Sequence, residues 1–423
     1  MSTAKTVEFD IQSQAFAWNA YEHYARLREE APVQRLIQPG GTEVWLITRY
    51  DDARSALADP RLTKDFAANH EALIRGHFRR PEDRVEEQAP DMLFSDPPVH
   101  DRLRRLVSKA FTPRRVEHLR PRVQEIADQL LDGLAGTEET DLIGSFAFPL
   151  PVTVICELLG VPAGDRDRFR SWTNDLMSTR RDEEGLRRME EADRAMNRYF
   201  ADLVRETTPL VDAELPEERQ PSLIHALIAA SEDRDRLSEG ELLQMLQLLL
   251  LAGHETTVNL IGNGTLALLR NPDQLRLLQD RPELLPGAIE ELLRFDGPVE
   301  RATLRFTRED VQVGDITIPA HSVVAIIIAA ADHDPSHVVE PDRLDISRPP
   351  AQHLAFGHGI HFCLGAPLAR LEGQVAIGSM LARFPDLRLA RPVSDLRFRA
   401  AGILIRGLDQ LPVHLGRAAR AAA

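Results

Sequence analysis

The run Phe356-Gly357-His358-Gly359-Ile360-His361-Phe362-Cys363-Leu364-Gly365 holds one of only two cysteines in a chain of 423 residues, just ahead of a helical stretch that opens at Ala366-Pro367. A thiolate that binds a transition metal needs backbone N–H donors, a helix N-terminus and shelter from water. Together these hold the negative sulfur in place and tune its metal. Gly357, Gly359 and Gly365 allow a turn that approaches a flat cofactor closely, and Pro367 suits a first helical turn. An isolated cysteine is ordinarily a buried small hydrophobe. The glycine-punctuated setting argues against that reading for Cys363.

The pattern Phe-Gly-x-Gly-x-His-x-Cys-x-Gly resembles the haem-binding loop of the cytochrome P-450 monooxygenases, and three further segments in the family's order extend the likeness from Phe16 to Leu415. The likeness is greatest to the soluble bacterial class that oxidises macrolides, other polyketides and similar natural products. It implies a mainly α fold with small β-sheets, in a single triangular domain over residues 1–423, with haem b between a long central helix and the cysteine loop. Cys363 would be its axial thiolate, with Phe356 and Gly365 beside the macrocycle. The N-terminal arm 1–15 and the tail 417–423 are expected to be poorly ordered.

Bulk properties agree with an intracellular enzyme. No Ser/Gly-rich linker divides the chain, so one large domain is expected. A net charge of -15 argues against nucleic acid, which calls for basic patches. Cys156, in the apolar run Val152-Thr153-Val154-Ile155-Cys156, reads as core, and two cysteines make no disulfide framework. The first ten residues contain no apolar signal region, and the longest apolar candidate, Val323 to Ala331, falls far short of the ~20 residues of a membrane span. A cytoplasmic monomer is expected.

Along the chain, Val33–Ile37 and Glu43–Thr48 flank Pro39-Gly40-Gly41 as strand, turn and strand. Asp96-Pro97-Pro98 introduces an Arg-rich helix from Val99 to Phe111, Arg180 to Arg194 reads as a solvated helix, and Pro209 to Pro221 is a turn-rich connection. Ser238 and Glu241 form a capping-box pattern before a periodic apolar stretch that ends at Asn271-Pro272, predicting one helix of roughly 33 residues, about 50 Å long. Its middle, Ala252-Gly253-His254-Glu255-Thr256-Thr257, breaks local rules as functional sites do, because a buried Glu is costly and Gly with Thr weakens a helix centre. By resemblance, Ala252 and Gly253 bring the helix close to the haem, and Glu255 with Thr256 governs proton delivery during dioxygen cleavage. A metalloprotease reading fails, since His-Glu-x-x-His would need histidine where Val258 stands.

A haem carries two propionates, so its burial calls for cationic or hydrogen-bonding partners. His100 and Arg104, four apart on one helix face, together with Arg305 and His361, match the family's positions. Glu291 and Arg294 resemble its structural Glu-x-x-Arg pair, which in the family also engages the segment Asp334 to Arg348 through Arg343 or Arg348. Here Ala331-Asp332-His333-Asp334 departs from the Ala-Asn-Arg-Asp that relatives often show.

The family's pocket maps onto Met92, Leu93 and Phe94; Leu248, Leu251 and Ala252; Arg301; and Ile403 with Leu404. Most are apolar and suit a bulky lipophilic substrate. Arg301 either meets a polar group of the substrate or pairs with Glu300. No Gly-x-Gly-x-x-Gly turn or flavin-type domain is present, so electrons are expected from a ferredoxin or flavodoxin with its reductase, docking on Arg102, Arg105, Lys109, Arg114 and Arg115 or leaving those residues as a solvated face. An H2O2-using peroxygenase and a non-oxidising haem-binding module are the alternatives. The acid–alcohol pair argues against the first, and the retained thiolate and Glu-x-x-Arg against the second.

Overall fold

The computed structural model describes residues 6–8, 13–37, 43–64, 69, 89–176, 182–212, 214–230, 237–349, 352–399 and 404–418. They are mainly helical, with small sheets. The chain divides into two compact units, each taken by itself below: Met1–Gln88 with Asn263–Cys363 and Asp395–Asp409, and Ala89–Gly262 with Leu364–Ser394 and Gln410–Ala423.

The first unit is built on a six-stranded sheet in the order Thr6–Glu8, Val33–Ile37, Glu43–Ile47, Val323–Ile326, Arg305–Thr307, Leu62–Thr63. Its second and third strands pair antiparallel, with Val33 opposite Ile47 and Ile37 opposite Glu43, as their flanking turn signal predicts; the turn itself lies outside the described residues. Successive side chains of a strand point to opposite faces, and here both faces are covered. Leu36, Val44, Leu46, Val323 and Ala325 pack with Phe16, Ala20, Tyr24 and Leu27. Val33, Ile47, Val324 and Ile326 pack with Tyr50, Ala53 and Leu57. The apolar run Val323–Ala331 is therefore a doubly buried strand followed by one short helix, Ile328–Ala331. Thr6–Glu8 also joins the sheet, parallel to Arg35–Ile37, so the arm expected to be disordered contributes an edge strand. Residues 419–423 of the expected loose tail lie outside the described residues.

Between Asp332 and Cys363 the described residues form one single-turn helix and otherwise irregular chain. Irregular backbone still has to satisfy its N–H and C=O groups. The helix Leu285–Asp296 supplies much of what it needs. Glu291 and Arg294 are both buried and form a two-pronged pair at 2.8 and 2.9 Å. Arg294 donates onward to the carbonyls of Asp332 and Pro341 at 3.0 and 2.9 Å, while Glu291 accepts from the Asp345 N–H at 3.1 Å and from Arg348 at 3.4 Å. Of the two candidate arginines, Arg348 makes this link; Arg343 pairs with Glu340 and Asp345 instead.

The second unit contains most of the helix Glu239–Arg270, 32 residues long, and its capping box forms as read. The Ser238 N–H donates to Glu241 at 2.8 Å and the Glu241 N–H to Ser238 Oγ at 3.2 Å. Gly253 and Gly262 let this helix lie close to its neighbours: a Cβ would meet Ile155 Cδ1 at 2.9 Å in the first case and Ile143 Cδ1 at 2.5 Å in the second. The Arg-rich helix runs Val99–Ala110, and the predicted helix near Arg180 becomes Glu183–Thr207, capped by Asp182. The helix Ala366–Arg383 begins three residues after Cys363, and a three-stranded sheet joins Arg388–Leu389, Pro412–His414 and Glu139–Asp141. No helix among the described residues is long and apolar enough to cross a membrane.

Arg294→Ala strands the Glu291 carboxylate in the interior. The expected loss is about 3–5 kcal/mol, with weaker haem retention, read by thermal unfolding and by the Soret absorbance remaining after gel filtration. Arg343→Ala, on an exposed pair, is expected to change either by little.

Candidate active site

The two sulfurs differ completely in setting. Cys156 is fully buried in the helix Pro149–Leu159, and burial pushes its thiol up to about 12, so it is an inert core residue as expected. Cys363 is exposed. Its N–H donates to the Phe356 carbonyl at 2.9 Å, the Gly357 N–H to Leu354 O at 2.7 Å, and the Phe362 N–H to Gly359 O at 3.0 Å, closing a compact loop. Gly357 and Gly359 take φ of 73° and 76°, which L side chains resist. At Gly359 a Cβ would also meet Ala58 Cα and Leu57 O at 3.1 Å, so that glycine is required twice over. Gly365 is different: its φ of -79° suits any residue, so it is not one of the turn's obligatory glycines.

The approach to this loop is fixed by buried acids that the sequence reading did not single out. Asp332 accepts the Leu354 N–H at 2.7 Å, and Asp334 accepts the Tyr50 N–H at 3.0 Å. Burial pushes the Asp332 carboxyl up to about 7, against the opposing pull of His353 and Arg294. His333 places Nε2 2.9 Å from Phe295 O and Nδ1 2.7 Å from Asp342, so each ring nitrogen meets an oxygen. The departure from Asn-Arg to Asp332-His333 was visible in sequence; its consequence depends on burial, which was not.

In the same unit Arg305 is buried in its strand, and His361, half-buried, closes the single helical turn Gly359–His361. Arg301 is corrected as a pocket residue. Only 4% exposed, it donates to Tyr24 Oη and to Glu300, and lies over the Phe16 ring. Burial raises the Glu300 carboxyl, but Arg301 and Arg406 outweigh it and hold the group below its usual range. The guanidinium is thus an internal counter-ion. Leu404 is half-buried and accepts the Glu300 N–H at 3.0 Å; Ile403 lies outside the described residues.

In the second unit, one stripe of the long helix stands out. Leu248, Leu251 and Thr256 are partly accessible and Ala252 is exposed, at a spacing of i, i+3, i+4 and i+8, while residues 257–268 are buried without exception. Thr256 Oγ1 donates to Ala252 O at 3.0 Å. Glu255 is 5% exposed and His254 fully buried. Met92 is buried, with Leu93 and Phe94 half-buried and both N–H groups bonded to Asp91 Oδ1. On the Arg-rich helix His100 is 1% exposed, with Nδ1 2.9 Å from Asp101; Arg104, one turn on, is half-buried, and Leu103, Leu106 and Val107 root the helix in the core. Of the cations read as a docking or solvated face, Arg102 pairs with Glu241 and Arg115 donates to the carbonyls of Glu217 and Gln220; Arg105 and Arg114 are exposed and Lys109 is half-buried. Glu372 was also missed. It is fully buried, and burial raises its carboxyl well above the usual range, with Thr257 the opposing contact.

These features fit a haem. In the first unit the exposed Cys363 sulfur sits on a loop shaped by two left-handed glycines, and in the second a mostly apolar, accessible stripe ends in the Thr256 hydroxyl. In comparisons with known proteins, the cytochrome P450 family model matches residues 14–387. The chain is 47% identical to vitamin D(3) 25-hydroxylase of Pseudonocardia autotrophica, over 98% of each chain. It is 42% identical to 6-deoxyerythronolide B hydroxylase of Saccharopolyspora erythraea, over 96% of this chain and 98% of that one. The tirandamycin C-bound P450 monooxygenase TamI superposes with a TM-score of 0.85 at 44% identity, covering 97% of this chain and 100% of that structure.

Asp332 gives a pH test. Its folded value of about 7 lies above the ~3.9 of an unfolded aspartate. Its contribution is therefore fully present below about pH 4 and is lost as pH rises to about 7. Asp332→Asn, whose amide oxygen can keep the Leu354 N–H, is expected to raise the melting temperature relative to the parent increasingly from pH 5 to 7 and by a constant amount above. Parallel melting curves across that range would contradict the assignment.

Proposed function

The chain belongs to the cytochrome P450 family and is a haem-thiolate monooxygenase, and we propose that its substrate is a bulky lipophilic natural product of the polyketide or macrolide kind, hydroxylated or epoxidised. The observation that carries this is the stripe Leu248, Leu251, Ala252 and Thr256: the middle of the long helix presents apolar, accessible surface and a single hydroxyl. Such a lining recognises shape and apolar area, not charge. The Arg301 guanidinium is already matched by Glu300 and Tyr24, so a substrate carboxylate is not called for. Relatives named for 6-deoxyerythronolide B and vitamin D(3) act on large, mostly apolar molecules, which supports the class without choosing a member.

In this reading Cys363 would bind the haem iron through its thiolate, Phe356, Gly365 and Ala252 would line the macrocycle, and His100, Arg104, Arg305 and His361 would hold its propionates. When bound, the haem supplies dioxygen activation and the transfer of one oxygen atom to the substrate. The protein's own part is protonic. Thr256 presents a hydroxyl at the accessible face, and Glu255, one residue away and nearly buried, holds a proton for it; the proton used is replaced from solvent. Electrons come from a separate ferredoxin or flavodoxin and its reductase, reaching the protein through the exposed Arg105 and Arg114. A single domain over residues 1–423, in the cytoplasm, completes the proposal.

Two measurements test this. The reduced protein with carbon monoxide is expected to show the red-shifted band of thiolate ligation, kept in Cys156→Ser and abolished in Cys363→Ser. For the substrate, 6-deoxyerythronolide B, mycinamicin IV, vitamin D3 and myristic acid are titrated for the spectral shift that marks loss of iron-bound water. Tighter response to the two macrolide-type molecules supports the proposal; response to myristic acid alone overturns the substrate class.

A further inference from the structure

We infer that Arg406 is a positioning residue that sets which substrates fit: it pins the hairpin carrying Leu404 to the helix Gln14–Glu30, an inference that rests on the proposed place of Leu404 in the substrate pocket. Arg406 stands in the otherwise apolar run Leu404-Ile405-Arg406-Gly407-Leu408 and is only 6% exposed. A guanidinium persists in such a place only where partners meet it. Its Nε donates to Asp296 Oδ1 at 2.7 Å and its Nη1 to the Ala17 carbonyl at 2.6 Å, while its centre lies 3.8 Å from that of the Phe398 ring. Tyr21 Oη donates to the same Asp296 oxygen at 2.8 Å. One carboxylate, at the end of the helix Leu285–Asp296, thus joins two segments whose contact residues, Ala17 and Arg406, are 389 positions apart.

Backbone pairing of the hairpin is thin. Phe398 bridges Leu408 and Val299 bridges Ile405, both outside any strand, and so short a hairpin is marginal by itself. The Glu300 N–H donates to Leu404 O at 3.0 Å and the Arg406 N–H to Pro298 O at 2.8 Å. Side chains of the helix Gln14–Glu30 back these contacts. Tyr24 Oη donates to Glu300 and accepts from Arg301 at 3.3 Å, and Gln14 Nε2 donates to the Phe398 carbonyl. Gln14, Ala17, Tyr21 and Tyr24 follow one another at steps of three or four residues, turn after turn. Leu404 is therefore anchored twice, through Arg406 two residues on and through Glu300 across the ladder. Loosening Arg406 shifts the wall that Leu404 contributes. A bulky ligand that fills the pocket meets the shifted wall, and a small one does not. An ion pair that only stabilised the fold would leave that discrimination unchanged.

The experiment compares Arg406→Lys, which keeps the charge and loses the fork of donors, with Tyr21→Phe, Leu404→Phe and a control, Arg28→Lys. Arg28 lies further along the same helix, where it donates to the Ala330 carbonyl at 2.8 Å. Each haem-loaded protein is titrated spectrally with imidazole, small enough to reach the iron without filling the pocket, and with clotrimazole, an imidazole that carries three aryl rings. The ratio of the two Kd values is the readout. In Arg406→Lys the Kd for clotrimazole is expected to change at least fivefold and that for imidazole less than twofold. Tyr21→Phe should move the ratio in the same direction by less, and Arg28→Lys should leave it within twofold. Independently of any ligand, hydrogen exchange read by mass spectrometry should show peptides over 396–409 losing protection in Arg406→Lys while those over Val99–Ala110 keep theirs. Unchanged exchange at 396–409, an unchanged ratio in Arg406→Lys while Leu404→Phe shifts it, or an equal shift in Arg28→Lys overturns this inference alone. An unchanged ratio in Leu404→Phe overturns the proposed place of Leu404 instead, and a parent that takes imidazole but not clotrimazole overturns the bulky pocket. If Arg406→Lys fails to hold haem, the ratio in Tyr21→Phe decides.

Discussion

The cysteine loop depends on a single buried carboxylate more than on any secondary structure. Glu291 accepts from two nitrogens of Arg294, from the Asp345 N–H and from Arg348, so one side chain ties a helix to the irregular chain that leads to Cys363. A carboxylate taken out of water at this cost persists only when its lone pairs are filled. Here they are, and the cation that fills them turns outward to two carbonyls that lack ladder partners. Arg348 extends the same scheme, donating to the carbonyls of Val339, Glu340 and Arg343. A thiolate loop must stay open on one side for its cofactor, so it cannot be buried to hold it still. Charged hydrogen bonds behind it do that work.

The long helix solves the opposite problem. Its Gly253 and Gly262 weaken it by roughly 1 kcal/mol each relative to alanine, yet both are filled by isoleucines from neighbouring segments at distances a Cβ would forbid. Close packing at these two points, on opposite sides of the helix, fixes its rotation, and rotation decides which residues reach the open stripe. Ala252 and Thr256 keep accessible surface there, while His254 and Glu255 in the same turn are buried.

Much of this was legible from residues alone, for reasons that differ from place to place. The capping box at Ser238 and Glu241, the strands around Pro39-Gly40-Gly41 and the glycine turn before Cys363 are local devices, and local rules read them. Glu291 with Arg294 was legible as a pair only through its resemblance, since the same spacing on an exposed helix means little. Arg301 was read with two alternatives, of which the pairing with adjacent Glu300 is seen, but its second partner Tyr24, 277 positions away, and Glu241, 139 from Arg102, were not legible because a guanidinium's partner is often distant in sequence. Asp332 and Glu372 were missed because nothing in a sequence marks an acid as buried.

The segment Asp332-His333 shows how a departure from a family pattern can stay within the same physics. Where the resemblance suggests Asn-Arg, this chain has an acid and an imidazole, each at a buried position. An asparagine oxygen would accept the Leu354 N–H at no electrostatic cost; Asp332 accepts it too, and its burial favours the protonated carboxyl, which resembles that amide in charge and shape. An arginine would offer several donors to Phe295 O and Asp342; His333 sets one ring nitrogen against each. The replacements differ from the suggested pair in donor count, yet the Leu354 N–H, Phe295 O and Asp342 each still meet a partner, so the chain leading to the cysteine loop is tied at the same points by different chemistry.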